Sequence, residues 1–310
     1  MTLPPGRLTG VIPPVCTPLT PAGAVDTRSL TRLVDHLAGA GVDGLFVLGS
    51  SSEAAYLTDH QRRLVVETVT RHVAGALPVL AGAIDMTTPR VLAHAETALA
   101  AGADAVVATA PFYARTHPVE IARHFQLIAK HTGAPLLAYD LPSSVHSKLD
   151  ADLVLGLAAD GTLAGLKDSS GDQATLRSVA IGAPDGFSVL TGSELLVDTA
   201  LQFGAHGVVP GLGNVDPHGY VRIVRHAAAG AWDLARAEQE RLLALFAMVD
   251  AAPPERMGRG SAAIGAFKTA LRLLGVIDHA TTAEPQVPLS ADEEARVAEL
   301  LRAAGLHPVS

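Results

Sequence analysis

The chain has 310 residues, of which 17% are charged, and its formal net charge is -8 at pH 7. This balance, without any run of Lys and Arg, argues against binding to nucleic acid or to an anionic membrane surface. The length allows one large domain with a substantial core. Because only 4% of the residues are aromatic, we expect that core to consist mainly of Ala, Val and Leu.

The cysteine and histidine residues further limit the class of protein to which the chain can belong. Cys16 is the only cysteine, so no intramolecular disulfide can form, and a cytoplasmic location fits. The start of the sequence lacks a signal-peptide pattern, and no apolar run approaches the roughly 20 residues that span a bilayer. The thirteen histidines are scattered without an HExxH or CxxC pairing, so we interpret them as surface or helix-end residues and expect no metal.

Short apolar runs recur along the chain, and their starts lie about 20 to 35 residues apart, the length of a strand and a crossover helix. The runs cover residues 11–16, 44–48, 79–83, 105–108, 136–139, 163–167, 188–190 and 207–209. Each run is continuously apolar, which is typical of a parallel sheet covered on both faces.

Helical patterns separate these runs. In residues 58–74 one face carries Leu64, Val65, Thr68, Val69 and Val73, and the opposite, polar face carries Arg62, Arg63, Glu67 and Arg71. A glycine precedes many runs, as in "GAGVDGLFV", "LAAGADAVVA", "HTGAPLLAY" and "QFGAHGVV". We expect these glycines to end helices in the left-handed conformation.

Eight such units predict an α/β fold, a (β/α)8 TIM barrel over residues 1–230. Residues 232–249, 261–274 and 291–304 have the pattern of three further helices, with no flexible linker before them. We therefore expect residues 231–310 to form a helical extension that is docked on the barrel.

In this fold the active site lies at the carboxyl ends of the strands. Polar groups directly after an apolar run should therefore face it, and those before a run should not. Lys167, Tyr139 and Tyr113 end or follow strands, as do Ser50 and Ser51. We expect these five residues to converge at one end of the barrel.

Lys167 is one of four lysines, against nineteen arginines, and it ends the run "LAGLK". Partial burial there would favour the neutral amine, which can attack a ketone and form a Schiff base. Alternatively, Lys167 extends from the barrel rim or pairs with Asp168 or Asp172. Its position in the sequence does not decide between these interpretations.

Tyr139 and the serines also allow alternatives. Tyr139 could carry a proton between substrate atoms, or it could cap the barrel as an ordinary aromatic residue. Ser50 and Ser51 could bind a carboxylate or phosphate, or they could belong to a plain turn. A nucleophile elbow is disfavoured because Glu53 stands where Gly-x-Ser-x-Gly requires glycine.

Five stretches together resemble a known family. "GLFVLGSSSEAAYLT", "APFYA", "YDLPSS", "LAGLKDSSGD" and "LTGSE" are similar to successive motifs of the dihydrodipicolinate synthase and N-acetylneuraminate lyase superfamily, the pyruvate-dependent class I aldolases. The resemblance runs from about Pro13 to the end of the barrel, in order and at the family's spacing.

The resemblance implies a role for each matching residue. Lys167 would form the Schiff base with pyruvate, and Tyr139 would be the acid/base. Ser50 and Tyr113 would join its proton relay, with Tyr113 reaching into a neighbouring subunit, which implies a homotetramer built as a dimer of dimers. The pyruvate carboxylate would be bound by Ser51, and the lysine pocket would be lined by Gly192 and Val209.

Three positions depart from the family pattern. Ser144 stands where dihydrodipicolinate synthases carry an arginine that binds the aldehyde's carboxylate. Leu195 stands where sialic-acid lyases carry an acid for the sugar chain. Ser52 replaces the glycine of the usual Gly-Glu pair and stiffens the turn.

The resemblance therefore implies an aldolase or lyase acting on a 2-oxo-3-deoxy sugar acid or a similar hydroxylated 2-oxo acid, without a metal or organic cofactor. Its small-molecule partners would be pyruvate and an aldehyde, or the 2-oxo acid that they form. One alternative is 4-hydroxy-tetrahydrodipicolinate synthase, which condenses pyruvate with aspartate semialdehyde despite Ser144. Another is a catalytically silent barrel that binds a 2-oxo acid.

Overall fold

The computed structural model describes residues 7–309, and eight parallel strands form a single sheet there. Residues 1–6 and 310, which belong to the predicted barrel and extension ranges, lie outside the described residues. The strands are β1 (Gly10–Val11), β2 (Leu45–Val47), β3 (Val79–Gly82), β4 (Ala105–Thr109), β5 (Leu136–Asp140), β6 (Gly165–Asp168), β7 (Ser188–Thr191) and β8 (Gly207–Val208). Each corresponds to one predicted run.

The sheet closes on itself. β1 pairs with β8, and the chain after β1 bonds to β2, where Phe46 N donates to Pro13 O at 3.0 Å and Val15 N donates to Phe46 O at 2.8 Å. The predicted (β/α)8 TIM barrel is confirmed. The prediction of a regular strand over 11–16 was too long, because Pro13 and Pro14 have no N–H group to donate to a ladder.

Twelve α-helices accompany the strands within residues 7–309. They are α1 (Thr27–Gly39), α2 (Asp59–Val73), α3 (Thr88–Ala100), α4 (Pro118–Thr132), α5 (Pro142–Val145), α6 (Ala151–Ala159), α7 (Gln173–Gly182), α8 (Val197–Gln202), α9 (Pro217–Ala228), α10 (Trp232–Phe246), α11 (Arg259–Leu273) and α12 (Ala291–Ala303). Short 3-10 helices cover Leu212–Asn214 and Ala247–Asp250. None of the helices described in residues 7–309 is both long and apolar enough to cross a membrane.

The helix predicted over 58–74 is α2, which begins after a capping box at Thr58 and ends at Ala74 in the left-handed conformation. Glycines after other helices have the expected positive φ, with Gly41 at 83°, Gly102 at 97° and Gly204 at 108°. In each case the chain turns at the glycine and enters the next strand, so these helix ends are confirmed.

The position of Arg62 differs from the prediction for α2. It was assigned to the polar face, but it is buried, and its guanidinium donates to Ile84 O at 3.2 Å. His94 lies 3.2 Å from Arg62 Nη1 and 2.9 Å from Asp85 Oδ2. Burial lowers the pKa of Arg62 despite the nearby Asp85 carboxylate. A long side chain can enter the gap between α2 and α3 from the edge of a helix face, which helical periodicity does not detect.

Helices α10, α11 and α12 lie in the segment that was expected to form the extension, and they share the barrel's core. Phe267 and Leu271 of α11 and Leu301 of α12 belong to the same buried apolar cluster as Leu30 and Leu33 of α1. The extension is therefore held by hydrophobic burial against the barrel, which brings residues of α11 close to the carboxyl ends of the strands.

The β1–β8 junction gives a test of barrel closure. A Cβ atom on Gly207 would lie 2.3 Å from Gly10 O, and rigid backbone cannot move away without breaking the ladder. We expect Gly207→Ala to lower the free energy of unfolding by about 3 kcal/mol, measured by urea denaturation. Gly156→Ala, in α6 with no atom near the added methyl group, should instead stabilise by about 0.5–1 kcal/mol. Equal effects of the two substitutions would contradict this account.

Candidate active site

One cavity of about 530 Å³ opens at the carboxyl ends of the strands. It is lined by six of the seven predicted site residues, namely Ser50, Ser51, Tyr139, Lys167, Gly192 and Val209. They lie near the ends of five different strands or directly after them, and the closed barrel brings them together.

Lys167 and Tyr139 form the floor of this cavity. They are directly opposite each other in the β5–β6 register, and both are buried, with exposures of 5% and 3%. Lys167 Nζ lies 3.9 Å from the centroid of the Tyr139 ring and 4.8 Å from that of Phe46. The Phe46 and Tyr139 rings meet edge to face at 6.4 Å. The aromatic faces hold the nitrogen in position while leaving it open to the cavity.

The acidic residues near Lys167 bond elsewhere. Asp168 accepts from Ser170 N at 2.7 Å, and Asp172 caps α7 by accepting from Thr175 N at 3.0 Å. Within residues 7–309, Lys167 has no carboxylate within salt-bridge distance. The alternative in which Lys167 pairs with Asp168 or Asp172 is therefore wrong. Asp168 is the next strand residue and faces the opposite side of the sheet, and the Asp172 carboxylate caps α7.

The environment of Tyr139 favours its ionised form. Burial raises the pKa of the phenol, but the charge of Lys167 and hydrogen bonds from Ser50, Ser169 and Lys167 outweigh burial, so the net direction of the pKa is downward. A phenol whose anion is stabilised can take up a proton and return it more readily at neutral pH.

The serine turn lies beside these two residues. Ser52 N donates to Gly49 O at 3.1 Å and Glu53 N donates to Ser50 O at 3.0 Å, which leaves Ser50 and Ser51 on the cavity side. Ser52 is fully buried: its hydroxyl donates to Val15 O at 2.5 Å and its carbonyl accepts from Thr17 Oγ1 at 2.9 Å. The serine at the family's glycine position thus ties the turn to the segment after β1.

Glu53 anchors the same turn to the C-terminal extension, a contact that sequence reasoning missed. Its carboxylate accepts from Ala283 N at 2.6 Å and Gln286 Nε2 at 2.9 Å, and it forms an ion pair with Lys268 of α11, with both side chains fully buried. Lys268 also donates to Thr281 O at 2.7 Å. A rare lysine within the apolar pattern of α11 was the only signal in the sequence.

Removing Lys268 should therefore leave a buried carboxylate without its partner. We expect Lys268→Met to lower the free energy of unfolding by about 3–5 kcal/mol, measured by urea denaturation. The double variant with Glu53→Gln should recover part of the loss, because the remaining group is neutral. Lys130→Met, on the exposed last turn of α4, is the matched control, and we expect it to change stability by less than about 0.5 kcal/mol. No recovery in the double variant would contradict the pairing.

Glu194 is a second residue that sequence reasoning did not assign, although it follows β7 within "LTGSE". It lines the cavity, and its Oε1 accepts from Leu212 N at 2.5 Å. A Cβ atom on Gly211 would lie 3.3 Å from both Glu194 Oε1 and Ser51 Oγ, so the carboxyl group is close to the serine turn. Burial raises the pKa of Glu194 from 4.5 to about 7, although backbone donors and the charge of Lys167 lower it in part.

This pKa predicts a pH dependence of stability. The folded protein keeps a proton on Glu194 that the unfolded chain releases between pH 4.5 and about 7. The free energy of unfolding should therefore fall as pH rises through this window, and the Glu194 contribution should be constant below and above it. The free energy of unfolding of Glu194→Gln should rise relative to that of wild type by on the order of 2 kcal/mol between pH 5 and 8, measured by denaturation at each pH. Parallel pH profiles for the two proteins would contradict the raised pKa.

Tyr113 does not join the other predicted residues. It follows β4, but its side chain is 94% exposed, it lies outside the cavity lining, and its φ of 73° is unusual for a large side chain. The expected convergence within one chain is wrong for this residue. The backbone turns the ring outward from the barrel.

Within residues 7–309 there is no group of three or more His, Cys, Asp or Glu side chains that could hold a metal ion. One histidine departs from the surface interpretation. His124 is buried between Thr88 Oγ1 at 2.9 Å and Thr109 O at 3.2 Å, and burial lowers its pKa to about 4. Its role is to pack α4 against the barrel as a neutral ring.

Comparison with known proteins identifies the family. A family model described as "Dihydrodipicolinate synthetase family" matches residues 7–304. The chain belongs to the dihydrodipicolinate synthetase family. Its members are carbon–carbon lyases and synthases, and the chain is an enzyme of this class that acts on small molecules.

Two relatives illustrate the range of the family. A protein named 4-hydroxy-tetrahydrodipicolinate synthase from Neisseria meningitidis serogroup B is 30% identical over 302 residues, which cover 96% of this chain and 99% of the relative. A protein named an uncharacterized DapA-like lyase from Halobacterium salinarum is 33% identical over 246 residues, covering 79% and 81% of the two chains.

Solved structures of the family have the same fold. YagE, described as a prophage protein of the dihydrodipicolinic acid synthase family from E. coli K12 in complex with pyruvate, has a TM-score of 0.89 and 29% identity, covering 96% of this chain and 99% of its own. A catalytic lysine mutant of a Ruminococcus gnavus sialic acid aldolase has a TM-score of 0.89 at 21% identity, covering 96% of each chain. The second likeness concerns the fold alone.

Proposed function

We propose that this enzyme is a pyruvate-dependent class I aldolase that cleaves or forms a hydroxylated 2-oxo acid through a Schiff base on Lys167. The observation that carries the proposal is the pairing at the cavity floor. Lys167 Nζ lies 3.9 Å from the Tyr139 ring centroid, is buried and has no acidic partner among the described residues.

In the proposed cleavage, the Lys167 amine attacks the C2 keto carbon, and the oxygen leaves as water with a proton from the Tyr139 phenol. This step forms an iminium and leaves Tyr139 as the phenolate. The ionised Tyr139 phenol takes the proton of the C4 hydroxyl, and the C3–C4 bond breaks with its electron pair moving toward the iminium. The aldehyde departs, the enamine is protonated at C3, and water releases pyruvate. Since the iminium accepts the electron pair, the sequence of steps requires no metal or organic cofactor.

The other cavity residues receive roles that match their positions. Ser51, with the backbone of the serine turn, binds the pyruvate carboxylate, and Ser50 passes protons to and from Tyr139. Gly192 leaves room for the Ser169 side chain, because a Cβ atom there would lie 2.0 Å from Ser169 Oγ. Val209, which directly follows β8, is a buried apolar residue of the lining that it shares with Lys167.

The substrate class follows from the polar lining. Ser143, Ser144 and Glu194 line the cavity together with Lys167, and such hydroxyl and carboxyl groups suit the hydroxyl groups of a 2-oxo-3-deoxy sugar acid. Leu195, which stands where sialic-acid lyases carry an acid for the sugar chain, is absent from this lining, while the neighbouring Glu194 is present. The proposal therefore favours a short hydroxylated chain.

A second candidate is the synthase activity, condensing pyruvate with aspartate semialdehyde. It is favoured by the N. meningitidis relative, which is named for this activity and aligns over 96% of the chain. Ser144 argues against it, because the arginine expected there is missing. A coupled assay with the reductase that consumes the condensation product distinguishes the two activities. We expect no signal in this assay if the enzyme acts on a hydroxylated 2-oxo acid.

Tyr113 supports a homotetramer in which each pair of subunits exchanges this residue. Its exposed ring and constrained backbone suit insertion into the cavity of a neighbouring copy, where it would complete the relay of Tyr139 and Ser50. Sedimentation equilibrium at the mass of a single chain would contradict this assembly. The single buried cysteine is consistent with the proposed cytoplasmic location.

The central test is trapping of the imine. Borohydride reduction in the presence of pyruvate should add one reduced pyruvate to Lys167, located by peptide mass mapping. Lys167→Met should take up none, and Lys130→Met should be labelled like wild type. An unmodified Lys167 would overturn the proposal.

Tyr139→Phe separates imine formation from proton transfer. We expect the adduct to form, while kcat for cleavage falls by about 10²- to 10⁴-fold, because only the shuttle is lost. Unchanged kcat would remove Tyr139 from the mechanism.

A further inference from the structure

The cavity has a second basic residue, which comes from outside the barrel. Arg259 is the first residue of α11, and it lines the same cavity as Lys167. Within the described part of the chain, Lys167 and Arg259 are the two basic residues of this lining. Because Lys167 belongs to the floor and α11 to the docked extension, the two charges mark different sides of the cavity.

The present partner of Arg259 binds it weakly. Its Nε lies 3.2 Å from Asp250 Oδ1, and the two side chains are 70% and 62% exposed. Exposed pairs of this kind contribute little, because water solvates both charges and the side chains lose freedom. By contrast, Arg256 is paired with the nearly buried Glu293. A substrate anion can therefore replace Asp250 on Arg259 at little energetic cost.

The surroundings of Arg259 favour an anionic group. Glu194, the acidic residue of the cavity lining, accepts a hydrogen bond from Leu212 N and forms no ion pair with Arg259 in the described residues. The first turn of α11 is not capped by a side chain. The positive end of the helix dipole lies at this turn and adds to the positive charge of the guanidinium. Ser144, which lacks the charge of the expected arginine, lies on the same lining.

We propose that Arg259 is a specificity residue that binds an anionic group, a carboxylate or a phosphate, on the aldehyde half of the substrate. A guanidinium can bind either group through two parallel hydrogen bonds. The inference rests on the proposed function, since it assumes pyruvate on Lys167. It also relocates the positive charge that the family pattern has at position 144 from the short helix α5 to the start of α11.

The test compares aldehydes that differ in charge, each condensed with pyruvate. D-Glyceraldehyde is the neutral probe, D-glyceraldehyde 3-phosphate carries a phosphate, and succinic semialdehyde carries a carboxylate. We expect wild type to prefer one of the anionic probes, and the preferred probe distinguishes phosphate from carboxylate. A wild-type preference for the neutral aldehyde would overturn the inference.

The second part of the test uses the variant Arg259→Gln. It should lower kcat/KM for the preferred anionic aldehyde by about 10- to 100-fold, mainly through KM, while the rate with the neutral aldehyde changes by less than about twofold. Arg259→Lys should restore part of the loss, and Asp250→Asn should lower KM for the anionic probe, because a competing partner is gone. Equal losses for charged and neutral aldehydes would overturn the inference.

Borohydride trapping with pyruvate separates the two proposals. Arg259→Gln should form the Lys167 adduct like wild type, since it does not contact pyruvate. If wild type forms the adduct but Arg259→Gln leaves aldehyde selectivity unchanged, only the role of Arg259 is overturned. If wild type forms no adduct, both the proposed aldolase mechanism and the role of Arg259 are overturned.

Discussion

The register of the parallel sheet is the constraint on which the rest of the structure depends. Because β5 and β6 are adjacent and in register, Tyr139 lies directly opposite Lys167, and the pleat directs both to the barrel interior. A shift by one residue would turn Lys167 toward the outer layer and bring Asp168 inward. The short distance between the lysine and the aromatic ring is thus a property of the sheet, and loops are not needed to create it.

The C-terminal extension provides the second constraint. The buried pair of Glu53 and Lys268 links the serine turn after β2 to α11, and the backbone N–H of Ala283 joins it. Burying two charges is favourable only with full hydrogen bonding, so the turn is held in one position. The same helix carries Arg259 to the cavity. Support of the turn and contact with substrate therefore depend on one docked element.

Much of this architecture was predictable. The eight apolar runs, the order of strands and helices, and four cavity residues (Ser50, Ser51, Tyr139 and Lys167) follow from local patterns, since buried parallel strands are continuously apolar and their carboxyl ends share one edge. Gly192 and Val209 were expected from the family resemblance alone. Arg62 was assigned to the wrong helix face, and Tyr113 does not join the cavity of its own chain, for different reasons. Arg62 is buried because its side chain enters a gap between two helices, and Tyr113 is turned outward by a positive φ. Neither feature is encoded by periodicity.

The sequence by itself determined the barrel, the position of Lys167 at the end of the sixth strand, and Tyr139 as its neighbour on the fifth. Only the tertiary structure decided what surrounds them. It excluded Asp168 and Asp172 as partners of Lys167, brought Glu194 beside Ser51, and added Arg259 to the cavity. The physical reason is separation along the chain: Glu53 and Ala283 are 230 residues apart. Contacts over such distances arise from docking of whole elements, for which local sequence patterns carry no signal.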